Sequence, residues 1–229
     1  MRHNPDALML FAAGFGTRMG TLTKSLPKPL IKVAGRPLLD HALALAAPLG
    51  LKHVVVNTHY RAEQIARHLS TQPEIKLTFE SPEILETGGG LRHALPLLGT
   101  GPVFTLNTDA VWSGPNPLEL LNSAWNSQDM DALLLLVHKP NALGHSGAGD
   151  FEKDVNGRLV RGPGAIFSGA QILKTGDLAT IPDATFSLNV VWDLMLDRKR
   201  LFGLTYPGNW CDVGRPENVP LATRMLSDV

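Results

Sequence analysis

Short, mostly apolar, strand-like runs cover positions 7–12, 53–57, 76–80, 103–107 and 132–138. Between most of them apolar positions recur at the three-to-four spacing of a helix instead. The short runs, bounded by turn residues, predict strands buried on both faces. Segments 37–49, 61–69, 89–98 and 117–126 predict helices, the first with Pro37 in its opening turn and Gly50 just past its end. Alternating strands and helices imply a mostly parallel sheet covered on both faces, which binds ligands beyond the carboxyl ends of its strands.

Beyond position 140 the pattern changes. A Gly-, His- and Asn-rich loop spans 141–149, Asn156-Gly157 predicts a hairpin turn, and Pro and Gly interrupt 162–164. This stretch reads as a smaller β-rich part of one domain covering 1–229. A helix over 187–197, capped by Ser187, and a closing helix over 216–226 complete the expectation.

Composition narrows the partners. Twenty-one basic residues balance twenty-one acidic ones, so no overall field draws the chain to nucleic acid or an anionic membrane. Phosphate binding would have to be local. The single cysteine, Cys211, excludes an internal disulfide and a multi-cysteine zinc site and fits a reducing cytoplasm. The first apolar run is soon followed by Gly14, Gly16 and charge, which reads as a strand and not a signal peptide. The run 132–137 is far too short to span a bilayer.

The chemistry concentrates after the first predicted strand, in "AAGFGTRMGTLTKSLPKPL". A dinucleotide fingerprint would need Gly or Ala where Met19 stands, and a Walker loop would need Gly-Lys-Ser/Thr, which is absent. What remains is a Gly-x-Gly-Thr-Arg turn whose Gly14 and Gly16 let the backbone approach anionic oxygens closely. Arg18 adds a guanidinium fork, and Lys28 sits stiffened between Pro27 and Pro29.

This stretch, with "IKVAGRPLL" after it, resembles the signature of the sugar-1-phosphate nucleotidyltransferases; Thr21 stands where that family usually has proline. The resemblance extends over nearly the whole chain. It implies a Rossmann-like, three-layer α/β fold of the GT-A type with a mixed, mostly parallel sheet, residues 1–140 serving the nucleotide and 141–229 mainly the sugar. Ala12, Ala13, Gly14, Gly16, Thr17, Arg18 and Lys28 would contact the nucleotide. "LETGGGLRHALPLL" is similar to the family's second nucleotide segment, placing Glu86 and Gly88 near the base, with Thr87 supporting the turn. "VFTLNTDAVW" would place Asp109 as a magnesium ligand, with Thr108 where relatives have glycine, and "NWCDVGRPENV" would supply the second metal carboxylate, Asp212. Arg18, Lys28, Asp109 and Asp212 form the implied catalytic set.

"GHSGAGDFEKDVNGRLV" resembles the subgroup acting on N-acetylmuramic acid phosphate and implies a sugar contact at Asp150. "IFSGAQIL" similarly implicates Ser168 and Gly169, and Asn107 joins them. The family's Glu-Lys-Pro element, which grips the sugar phosphate, has no counterpart, because Asp154 follows Glu152-Lys153. His59, His138 and His145 share no unifying spacing and are expected in loop or capping roles, with Cys211 a packed small side chain.

The implied reaction joins a nucleoside triphosphate, UTP favoured, to a sugar 1-phosphate with magnesium, in a monomer or small homo-oligomer. A GTP-dependent enzyme acting on mannose 1-phosphate is the second reading. A third is a regulatory relative that binds without turnover; it would be expected to lose the lysine or the carboxylates, all of which are present.

Overall fold

The computed structural model describes residues 3–227. Its strands are β1 (Ala7–Phe11), β2 (Lys32–Val33), β3 (Arg36–Pro37), β4 (His53–Thr58), β5 (Ile75–Phe79), β6 (Pro102–Asn107), β7 (Ala110–Ser113), β8 (Ala132–Val137), β9 (Ala142–Leu143), β10 (Phe151–Lys153), β11 (Leu159–Arg161), β12 (Ile166–Lys174), β13 (Leu201–Thr205) and β14 (Asn209–Asp212). The helices are α1 (Leu38–Ala46), α2 (Ala62–His68), α3 (Glu86–Leu98), α4 (Pro117–Ala124), α5 (Leu188–Asp197) and α6 (Asn218–Ser227).

A seven-stranded sheet in the order β13-β8-β12-β6-β1-β4-β5 forms the centre. All its pairings are parallel except those of β12, which is antiparallel to both β6 and β8. The side-chain alternation of a strand explains the two cores. Leu8, Leu10, Leu133 and Leu135 face one side with Leu39 and Ala42 of α1, Ile65 of α2 and Leu118 and Leu121 of α4. Ala7, Met9, Leu134 and Leu136 face the other with Leu91 and Ala94 of α3 and Val191 and Met195 of α5. Three layers result, as the sequence implies.

The β-rich second half is woven into the central sheet. Its β12 enters the central sheet between β6 and β8, and β13 pairs with β8 at one edge. The β10–β11 hairpin, a three-stranded sheet, β7-β14-β9, and the short β2–β3 pair stand outside it. The hairpin turn lies at Asn156-Gly157, where Asp154 Oδ1 accepts from the backbone N–H groups of Asn156 and Arg158.

Helix boundaries differ for physical reasons. The segment predicted over 37–49 runs from Leu38 to Ala46 and tightens into a single 3-10 turn through Pro48 before Gly50 turns left-handed. Helix α3 starts at Glu86, three residues earlier than expected, despite the poor helix propensity of Gly88, Gly89 and Gly90. Close packing requires them there. A Cβ on Gly88 would meet the Phe186 ring at 2.4 Å, and one on Gly89 the Ala184 carbonyl oxygen at 2.5 Å. The Ser187 cap is present, accepting from Asn189 N–H.

Candidate active site

The glycine loop leaves β1 at the carboxyl end of the sheet. Gly16 is left-handed (φ 65°), and a Cβ there would lie 3.0 Å from both the Lys28 and Thr23 side chains, so the turn requires glycine twice over. Gly14 has open space before it. The chain then winds through 3-10 turns from Thr17 to Thr23, pinned by the fully buried Met19. Thr23 Oγ1 donates to the Gly16 carbonyl, Tyr60 Oη donates to the Thr23 carbonyl, and Gln64 Nε2 donates to that of Ser25. Thr21, lacking the family's proline, therefore sits in a loop already stapled from α2 and the segment before it.

A cavity of roughly 300 Å³ opens over this loop. Ala12, Ala13, Gly14, Gly16, Thr17, Arg18, Lys28, Glu86, Asn107 and Asp109 all line it. Lys28 Nζ lies 2.8 Å from Asp109 Oδ2, and only about an eighth of the lysine side chain is exposed. A second cavity of about 280 Å³ carries Asp212, Gly169, Ser168, His145 and Arg215, and shares Arg18, Asn107 and Asp109 with the first. A third, of about 310 Å³, carries Asp150 and shares Phe11, Thr87 and Asn107 with the first and Phe167 with the second. Asn107 borders all three.

Asp212 ends β14 and reaches the site through pairing with β7, which follows Asp109; Val213 N–H also donates to the Asp109 carbonyl. Burial holds the Asp212 carboxyl above its ordinary range and repulsion from Asp109 adds to this, while Lys28, Arg18 and His145 partly offset both. The neighbouring Cys211 thiol is pushed up to about 12, chiefly by burial and then by Asp212, which makes it a packing group.

Four of the predicted contacts also have packing or hydrogen-bond roles within the protein. Gly88 does not line the cavity; its N–H donates to the Phe186 carbonyl, and its lack of a side chain accommodates the Phe186 ring. Ser168 borders the sugar-side cavity, but its hydroxyl donates to the Leu135 carbonyl at 2.6 Å. Asp150 Oδ2 accepts from Phe167 N–H, which fixes the carboxylate at the cavity wall. Gly169, at φ 87°, lies so close to Asn107 that a Cβ would approach it to 2.8 Å.

The sequence reading missed a buried network. Asn57 Oδ1 accepts from Ala12 N–H, Asn57 Nδ2 donates to Glu80 Oε1, and Glu80 Oε2 accepts from Leu85 N–H. Asn57 and Glu80 both line the first cavity. Their positions at or just after the ends of neighbouring strands were the available signal. His145 lies in a loop, as expected, and that loop brings it to the cavity of Asp212, a placement that sequence spacing does not give.

Among the described residues no group of three His, Cys, Asp or Glu side chains could hold a metal by itself. Asp109 and Asp212 fit magnesium in another way: two carboxylates border one cavity, repel each other, and leave room for substrate phosphates to complete the shell.

A model of the MobA-like NTP transferase domain matches residues 8–146. The chain is 36% identical to N-acetylmuramate alpha-1-phosphate uridylyltransferase of Caulobacter vibrioides, over all of both chains. It is 28% identical to mannose-1-phosphate guanylyltransferase 1 of Arabidopsis thaliana, over 96% of this chain and 64% of that one. The crystal structure of HddC from Yersinia pseudotuberculosis complexed with GMP-PN superposes with a TM-score of 0.74 at 20% identity, covering 96% of this chain and 99% of that one, which supports the fold. With the glycine loop, its lysine and the paired carboxylates in place, the chain belongs to the MobA-like NTP transferase family, as a sugar-1-phosphate nucleotidyltransferase.

Proposed function

We propose that this chain transfers the uridylyl group of UTP to N-acetylmuramic acid 1-phosphate, releasing pyrophosphate, in the cytoplasm and in the recycling of cell-wall sugar. The 36% identity with the Caulobacter uridylyltransferase, over all of both chains, supports the choice of substrates. No helix of the described residues is long and apolar enough to cross a membrane. The observation that carries the reading is the convergence of Lys28 and Asp109, 2.8 Å apart, with Arg18 and Asp212 on adjoining cavities.

In this reading an oxygen of the sugar phosphate attacks the α-phosphorus in line, and the bond to the β-phosphate oxygen breaks. The attacking group is already an anion, so little general base catalysis is needed; the work is to bring two anions together. The amides of Gly14 to Thr17 and the Arg18 guanidinium hold the outer phosphates, and Lys28 stabilises charge growing on the α-phosphoryl oxygens. Asp109 and Asp212 would hold magnesium, which supplies charge neutralisation between the two substrates. Arg215 and His145, bordering the cavity of Asp212, are the cationic and polar groups available to the sugar phosphate in place of Glu-Lys-Pro.

The test is pyrophosphate release with magnesium, crossing UTP, GTP, CTP and dTTP against the 1-phosphates of N-acetylmuramic acid, mannose, glucose and N-acetylglucosamine. A dominant signal for UTP with N-acetylmuramic acid 1-phosphate is expected. Preference for GTP with mannose 1-phosphate would overturn the substrate choice, and nucleotide binding without any turnover would overturn the reaction.

A further inference from the structure

The cavity beside Asp150 contains a cation that the proposed reaction does not use. Arg161, the last residue of β11, has its guanidinium carbon 4.8 Å from the centre of the Phe151 ring and 5.8 Å from that of Trp192. The two rings, themselves edge to face with centroids 5.9 Å apart, restrain the guanidinium, so less freedom is lost when it binds. Nε and Nη2 donate to Asp193 Oδ1, and Nη2 also touches the Asn189 carbonyl at 3.5 Å. Among the described residues Nη1 has no partner.

The Asp193 pair explains little of why the arginine is there. Its side chains are 40% and 61% exposed, and ion pairs this open add little to stability. Arg161 and Asp150 are the charged residues bordering the cavity. Asp150 is turned to Phe167 N–H and can accept from hydroxyls, whereas Arg161 calls for an anion. The first turn of α5 borders the same cavity and brings the positive end of its dipole, although its own N–H groups are already taken: Leu188 N–H donates to Thr87 Oγ1 and Asn189 N–H to Ser187 Oγ. The phosphates of both substrates belong with Lys28, Arg18 and the aspartates, which do not border this cavity. The anion that Arg161 awaits is therefore a second one, carried on the sugar.

We infer that Arg161 is the specificity-determining contact for a carboxylate substituent of the sugar 1-phosphate. The inference rests on the muramate reading above, since N-acetylmuramic acid is N-acetylglucosamine bearing a lactyl ether whose end is a carboxylate. Asn107 and Thr87 connect the cavity to the nucleotide site, and the rings of Phe167 and Trp192 form an apolar wall beside the fork.

The test is a cycle that changes the residue and the substrate separately. KM is measured for N-acetylmuramic acid 1-phosphate and for its lactyl carboxamide, in the wild type, Arg161→Met and Arg161→Lys, with thermal melting as a folding check. Replacing the carboxylate by the amide is expected to raise the wild-type KM about 30-fold, the size of one charge-assisted hydrogen-bonded contact. Arg161→Met should raise KM for the acid by a similar factor and gain no further rise with the amide, while Arg161→Lys, which keeps the charge without the fork, falls between. An equal rise for acid and amide in Arg161→Met would mark a structural role, and no rise would remove Arg161 from the pocket; either overturns the inference while wild-type turnover of the acid upholds the muramate reading. A wild type that prefers a sugar 1-phosphate without a carboxylate overturns the reading and the inference together.

Discussion

The loop from Gly14 to Leu30 and the sugar-side wall around Asp150 border the same site, but they are made differently. The loop is one continuous segment whose shape comes from backbone: a left-handed Gly16, successive 3-10 turns, a buried Met19 and hydrogen bonds from the Tyr60 region. The sugar-side wall gathers single side chains from α3, β6, β11, β12 and α5. Anions of fixed geometry can be met by a fixed backbone cradle. Sugars differ in their substituents, and side chains from separate elements can change one at a time.

The largest expected effect tests the loop. Lys28→Ala should lower kcat by about two to four orders of magnitude, through loss of a transition-state charge contact, with the fold intact by circular dichroism. Turnover near normal would remove the loop from the chemistry.

Next is the border between the regions. Gly88→Ala would ordinarily gain about 1 kcal/mol of helix propensity. The 2.4 Å approach to the Phe186 ring outweighs that gain, so urea denaturation should show a net loss of about 1–3 kcal/mol. A raised KM for nucleotide at unchanged stability would return Gly88 to the base site.

Ser168→Ala sharpens the sugar side. Its hydroxyl is committed to the Leu135 carbonyl, so the substitution should cost about 1–2 kcal/mol in denaturation. KM for the sugar phosphate should change less than about threefold, well under a full hydrogen-bond contact. A larger change would show that the hydroxyl turns to the sugar.

The smallest effect lies away from both regions. Asp131 is half-buried, and burial alone would raise its carboxyl; hydrogen bonds from Arg200 and Lys174 and their charges outweigh this and hold it below its ordinary range. A carboxyl lowered by folding contributes stability above its unfolded value near pH 4, and that contribution is lost as pH falls through the lower folded value. Asp131→Asn should therefore cost about 1 kcal/mol at neutral pH and progressively less in acid, with turnover unaffected. A cost independent of pH would show that the charge is not what matters.

The contrast also explains how much could be read from sequence. The alternation of β1, β4, β6 and β8 with helices was legible because those strands are largely buried and their runs mostly apolar. The edge strand β5, with Lys76 and Phe79 exposed, was legible mainly from its place between two helical segments. The β13 strand was not, since Gly203 interrupts a short run whose partner lies far away in sequence. The glycine loop announced itself because its geometry is local. Arg161, His145 and the Asn57–Glu80 network did not, because only the packed sheet brings them to the cavities. Asp212 was legible through resemblance alone, and the reason it reaches Asp109, the β7–β14 pairing, was not.

The antiparallel strand has a consequence for synthesis. β8 and β13 join the rest of the central sheet only through β12. While a ribosome has delivered β8 but not residues 166–174, the open edge of β6 has no partner to fill it. The nascent chain therefore passes through an interval of exposed strand edge, and folding of the two halves waits on a segment made after both β6 and β8. A pause in translation before β12 would prolong that exposure.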